Sequence, residues 1–176
     1  MSNVRQAKVD DAAAMGRVHV RAWQAAYRGA MPDDFLDSLD ADTRRAGWAR
    51  LLESPRPGVE TLVVEDDDGA VVGFAHIGPS RQNAEAEGEG EVYAINLDPD
   101  AWGRGLGQRL LAAATEHLAE RGYREAILWV LDSNARARRF YEARGCRLID
   151  ATDGDNEEKM PDVLYEWRPT RAAAEA

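Results

Sequence analysis

The stretch LDPDAWGRGLGQRLL, residues 97–111, decides how this chain is read. A short apolar run, residues 92–97, leads into it and predicts a strand. Leu106, Leu110, Leu111, Ala114 and Leu118 follow at helical spacing and predict a helix over 105–121, closed by Gly122. The turn between them carries glycines at 103, 105 and 107. Glycine reaches positive φ and lets a ligand approach the backbone closely, and the first helical turn offers N–H groups without intrahelical partners. Those donors and the helix dipole suit a phosphate or pyrophosphate, with Arg104 and Arg109 adding charge beside it. Two other phosphate turns do not fit. The dinucleotide fingerprint requires a glycine where this chain has Gln108 or Leu110, and a P-loop requires a lysine that the turn lacks. The remaining alternative is a glycine-rich strand-to-helix connection that holds no ligand.

Working outward, residues 126–131 form a short apolar strand, and 134–144 a helix closed by Gly145. Residues 147–149 and 163–167 read as two last strands around an acidic loop, 150–158. On the N-terminal side, 4–7 is a strand and 10–27 a helix with Asp10 or Asp11 as N-cap, ended by Gly29 and Pro32. Residues 43–52 form a second helix, closed by Pro55 and Pro57. Strands 61–65 and 70–77 flank Asp66-Asp67-Asp68-Gly69, a hairpin signal. The order β-α-α-β-β-β-α-β-α-β-β implies an α/β (α+β) fold, a mixed sheet with helices packed on it.

The second half sharpens the first. Asn134 stands at the start of a helix and Tyr141 seven residues on, so both project from nearly one face. Here the sequence resembles the GCN5-related N-acetyltransferase superfamily. The family's acetyl-CoA turn, Gln/Arg-x-x-Gly-x-Gly/Ala, corresponds to Trp102, Gly103, Arg104, Gly105, Leu106 and Gly107, with Gln108 following. Its second hallmark, a strand, then Asn, then Phe-Tyr and Gly, corresponds to residues 128–145. The resemblance extends to Ala22-Trp23, Ala26-Tyr27-Arg28-Gly29 and Pro32–Leu36, and covers about residues 3–168. Trp102 departs from the family's Gln or Arg, which leaves the backbone donors to hold the pyrophosphate.

The resemblance implies a mostly antiparallel sheet of six to seven strands flanked by about four helices, in a single domain with a frayed tail from 169. It implies acetyl-CoA as cosubstrate, pairing with the backbone of Ile95 and Leu97 as an added strand would. Tyr141 matches the family's general acid. A coenzyme A thiol near the cysteine value of ~8.5 leaves as a thiolate that a phenol can protonate. Asn134 matches a residue that bonds the coenzyme A arm, and an N-cap role is equally open to it. Glu91 stands where the family often has a proton-accepting glutamate, yet with Glu85, Glu87 and Glu89 it also reads as part of a solvated acidic loop. His76 is the other candidate base; His19 and His117 are assigned no role. Trp23 and Tyr27, four apart on one helix, line either the acceptor pocket or the core.

Composition limits the rest. The chain has 176 residues, 44% of them hydrophobic, enough for a real core. Its 22 Lys+Arg against 32 Asp+Glu leave −10, which argues against nucleic-acid binding and suits attraction of a cationic acceptor. A single cysteine, Cys146, excludes a disulfide framework and reads as a buried small hydrophobe. No ligand set has metal spacing, and no signal or spanning segment is present, so the expectation is a cytoplasmic enzyme without metal. The family also contains many homodimers. Acidic residues 85–91 and 150–158 on one side, and Arg104, Arg109, Arg136, Arg138 and Arg139 on the other, point to a small cationic amine as acceptor. A protein N-terminus or lysine, or a sensor without turnover, are the alternatives.

Overall fold

A computed structural model describes residues 3–82 and 88–170. Glu85 and Glu87 of the acidic run, and most of the tail, lie outside the described residues. The elements are β1 (Val4–Gln6), α1 (Ala12–Tyr27), α2 (Asp33–Asp37), α3 (Ala41–Glu53), β2 (Glu60–Glu65), β3 (Val71–Pro79), β4 (Glu89–Leu97), α4 (Leu106–Glu120), β5 (Glu125–Leu131), α5 (Ala135–Glu142), β6 (Arg147–Thr152) and β7 (Asp162–Trp167). Short 3₁₀ turns, Val9–Asp11 and Pro99–Ala101, precede α1 and α4. The strands form one mostly antiparallel, seven-stranded sheet of order β1-β2-β3-β4-β5-β7-β6, with a parallel pairing between β4 and β5.

The chain divides into two compact units, Met1–Ile77 with Ala94–Ala114, and Gly78–Tyr93 with Thr115–Ala176. The first is built on α1 and α3. Met15 and Val18 of α1, Trp48 of α3, Val63 and Phe74 form its apolar core. The two helices meet at Gly16, where a Cβ would lie 2.6 Å from the Ala41 carbonyl and 2.8 Å from the Arg45 nitrogen. In the second unit Ala126, Ile127, Leu128 and Val130 of β5, Leu118 of α4 and Tyr165 of β7 are buried, as the short apolar strand requires, and Leu128 pairs with Tyr165 across the sheet.

Several boundaries differ from the sequence expectation for physical reasons. Asp11 is the N-cap residue of α1, as expected, but makes no side-chain capping bond there; its carboxylate takes a two-pronged contact from Arg5 at 2.8 and 3.0 Å, and accepts the Lys8 N–H at 2.7 Å. Pro32 opens a helix as well as ending one, because α2 follows it with Asp33 and Asp34 in its first turn and Leu36 buried. One turn is too short for periodicity to reveal. Glu89 and Glu91 belong to β4 and not to a loop, paired with Glu125 and Ile127. β6 continues to Thr152 through a bulge after Leu148. It is an edge strand, exposed almost throughout, so its end at Asp150–Thr152 resembles a loop.

The core of the first unit also fixes a pH response. The Trp48 indole donates to His19 Nδ1 at 3.3 Å, and the His19 ring packs against Trp23, Trp48 and Phe74. Burial, and secondarily the Arg44 charge, push His19 down from 6.5 to about 4. Between those values the unfolded chain binds a proton that the folded chain refuses, so stability falls as pH drops from about 6.5 to about 4. Urea midpoints should decline across this window in the wild type and more shallowly in His19→Gln. Equal slopes in the two proteins would contradict this account.

Candidate active site

In the first unit, the glycine turn is held from below. Asp98 caps the 3₁₀ turn by accepting the Asp100 N–H at 3.0 Å, and Arg21 of α1 grips both carboxylates at 2.8 and 2.7 Å. Trp102 donates its indole N–H to the Leu97 carbonyl at 3.0 Å, tying the turn to the end of β4. That donor is therefore committed to the main chain. Gly103 and Gly105 have φ of +74° and +79°, and nothing lies within 4 Å of the Cβ position at either. Their backbone is thus open to a ligand. Leu106 and Leu110, both buried, anchor the start of α4, while Arg104, Gln108 and Arg109 are exposed. Gly107 is half-buried. The N–H of Arg109 bonds back to the Gly105 carbonyl at 3.2 Å, so the helical ladder begins within the turn. The ladder from β4 to β5 ends at Glu91↔Ile127, and Ile95 and Leu97, half-buried, lie beyond it. Trp23 and Tyr27 make an edge-to-face pair at 5.1 Å, with Tyr27 buried and Trp23 partly exposed. His76 sits in the same core, its Nδ1 2.8 Å from the Thr61 hydroxyl and its ring against Trp48.

In the second unit, Asn134 is the N-cap of α5, its Oδ1 accepting the Ala137 N–H at 3.1 Å. Asp132 pairs with Arg138. Tyr141, 5% exposed, packs 6.0 Å from the Tyr165 ring and 5.2 Å from Phe140. Tyr165 donates its hydroxyl to Glu142 and accepts from Arg138. Burial pushes the Cys146 thiol up to about 11, which suits packing and not nucleophilic chemistry.

Glu91 is the surprise of the site. It is 1% exposed, and its oxygens accept three N–H groups, all from Arg81. Sequence reasoning passed over Arg81, although it is the single cation among residues 78–93, where Glu85, Glu87, Glu89 and Glu91 need a partner. Among the described residues no group of His, Cys, Asp and Glu is arranged to hold a metal ion, and no helix is long and apolar enough to cross a membrane.

The family model of the acetyltransferase (GNAT) family matches residues 20–146. The chain is 36% identical over 135 residues to the uncharacterized N-acetyltransferase YuaI of Bacillus subtilis strain 168, covering 76% of this chain and 74% of that protein. Among solved structures, the PaiA N-acetyltransferase of Thermoplasma acidophilum, in complex with coenzyme A, superimposes with a TM-score of 0.77 at 16% identity, over 96% of this chain and 99% of that one. YncA of Salmonella typhimurium, solved with its cofactor acetyl-CoA, gives a TM-score of 0.71 at 21% identity, over 100% of this chain and 98% of that one. This chain belongs to the acetyltransferase (GNAT) family. Its mixed seven-stranded sheet is the fold of that family's N-acetyltransferases.

Proposed function

We propose that the chain moves an acetyl group from acetyl-CoA to the primary amine of a small cationic molecule, by direct attack in a ternary complex. The observation that carries this reading is the open, left-handed backbone of Gly103 and Gly105 at the head of a fifteen-residue helix. Anionic phosphate oxygens suit such a cradle, with donors from the turn through Gln108. The backbone of β4 at Ile95 and Leu97, past the end of its ladder to β5 at Glu91, suits an extended amide-bearing arm. Asn134 is read as an additional contact to that arm. Trp23 and Tyr27 are read as an aromatic wall for the acceptor.

The residues divide the proton traffic. Glu91, directly or through water, takes one proton from the incoming ammonium so that its nitrogen can attack the thioester carbon. As the carbon–sulfur bond breaks, Tyr141 gives its proton to the departing thiolate. The second proton lost by the nitrogen restores Tyr141, and one proton is released to solvent overall. No covalent enzyme intermediate is needed, which agrees with the buried, unreactive Cys146.

A cationic acceptor is favoured by the net charge of −10 and by the acidic loop ahead of β7, of which Glu157 acts on Arg81. Free-thiol release should be measured with acetyl-CoA and a panel of spermidine, an aminoglycoside, a neutral-chain amine and peptides with free N-termini or lysines. The expected result is the highest kcat/KM for a small polycation, falling as salt rises. Preference for peptides would replace this acceptor with a protein. Tight acetyl-CoA binding without thiol release on any amine would make the chain a sensor.

A further inference from the structure

Glu91 and Tyr93 are two apart on β4, so both side chains project from one face of the strand. Arg81 holds Glu91 through its main-chain N–H, 2.8 Å from Oε2, and through Nη2 and Nε, 2.7 and 3.2 Å from Oε1. The same guanidinium stands 4.7 Å from the centre of the Tyr93 ring. The Tyr93 hydroxyl donates to the Pro79 carbonyl, which fixes the ring. A buried carboxylate beside a fixed aromatic face is a means of recognising organic cations.

The cation in place differs in kind from these walls. Arg81 follows the end of β3 at Pro79 and lies outside regular structure, and its side chain is 56% exposed while that of Glu91 is 2% exposed. Glu157 strengthens the negative field at Arg81, whose guanidinium is held above its ordinary range chiefly by the Glu91 contact.

We propose that Glu91 and Tyr93 form the cation site for the acceptor, and that Arg81 fills it as an internal stand-in that the substrate's ammonium displaces. This rests on the reading of the chain as an acetyltransferase for cationic amines, and it adds the residues that choose the acceptor. A primary ammonium brings three N–H donors, against the two that the Arg81 guanidinium supplies, while the Arg81 main-chain N–H stays in place. A buried carboxylate left without a counter-ion is unfavourable, so Arg81 occupies the site in most chains and the open state persists only when another cation takes its place. Neutral and anionic acceptors cannot make that exchange. While Arg81 occupies the site, the apparent affinity for the acceptor is lowered by the fraction of chains with the site open.

The test is a calorimetric titration of the full chain with spermidine, without acetyl-CoA. If Arg81 holds the site about nine-tenths of the time, Arg81→Gln should bind spermidine about tenfold more tightly than the wild type. The double variant Arg81→Gln with Glu91→Gln should lose that gain altogether. Unchanged affinity in Arg81→Gln, or a double variant that binds as tightly as the single one, would overturn the proposal. Should Arg81→Gln fail to fold, Arg81→Lys keeps a charge with fewer donors, and about a threefold gain is then expected. Wild-type affinity in Arg81→Lys would also overturn it. Because the titration reads binding and not turnover, absence of thiol release from every amine would defeat the transferase reading alone.

Discussion

Gly105→Glu is expected to abolish acetyl-CoA binding while the chain stays folded. Two effects act together at this position. The residue has φ of +79°, where an L side chain is strained by roughly 1–2 kcal/mol, and the new carboxylate brings negative charge to an anion cradle. The fold tolerates the change because nothing lies within 4 Å of the Cβ position. Gly105→Ala separates the two effects, since it carries the strain without the charge, and it should weaken binding far less. Calorimetry with acetyl-CoA and a circular dichroism melt on each variant make the comparison. A folded Gly105→Glu with wild-type affinity would remove the turn from the site.

Tyr141→Phe is the second large effect. The ring is buried between Tyr165 and Phe140, and phenylalanine preserves that packing. Only the hydroxyl is lost. A fall in kcat of about 10²-fold or more is expected, the typical contribution of general acid catalysis, with acetyl-CoA affinity nearly unchanged. Measurement across pH 6–9 guards against a shifted optimum. Wild-type turnover throughout that range would return Tyr141 to a packing role.

The sequence carried most of the architecture because its strongest signals are local. The alternating strand–helix pattern after residue 92, the Asp-Gly hairpin and the glycines closing α4 and α5 all lie where elements begin or end. Asp66 closes the hairpin by accepting the Asp68 and Ala70 N–H groups, chemistry that the Asp-rich turn announces. What stayed hidden depends on tertiary partners. The single turn of α2 is held by Arg28 contacts to Asp33 and Asp37 and by the burial of Leu36. The start of β4 at Glu89 rests on pairing with β5, which composition cannot reveal in an acidic run. Asn134 caps α5 through the Ala137 N–H, while Asp132 pairs with Arg138. Within the proposed site, the glycine turn is legible from the spacing of its glycines, whereas Asn134 and Tyr141 are proposed on the family resemblance. Arg81 is marked only as the single cation of residues 78–93; which glutamate is buried against it is set by tertiary structure.

Gly16 has a consequence for precision. The helix α1 that presents Trp23 and Tyr27 is a stiff rod, and at Gly16 it touches the backbone of α3 with no side chain between them. Trp23 lies seven residues further along, about 10 Å by helical rise, on the same rod. The depth of the aromatic pair is thus referred to a backbone-to-backbone contact and not to the compressible ends of side chains. A datum surface works in the same way for a machined part: the dimension that matters is measured from the one place where nothing yields.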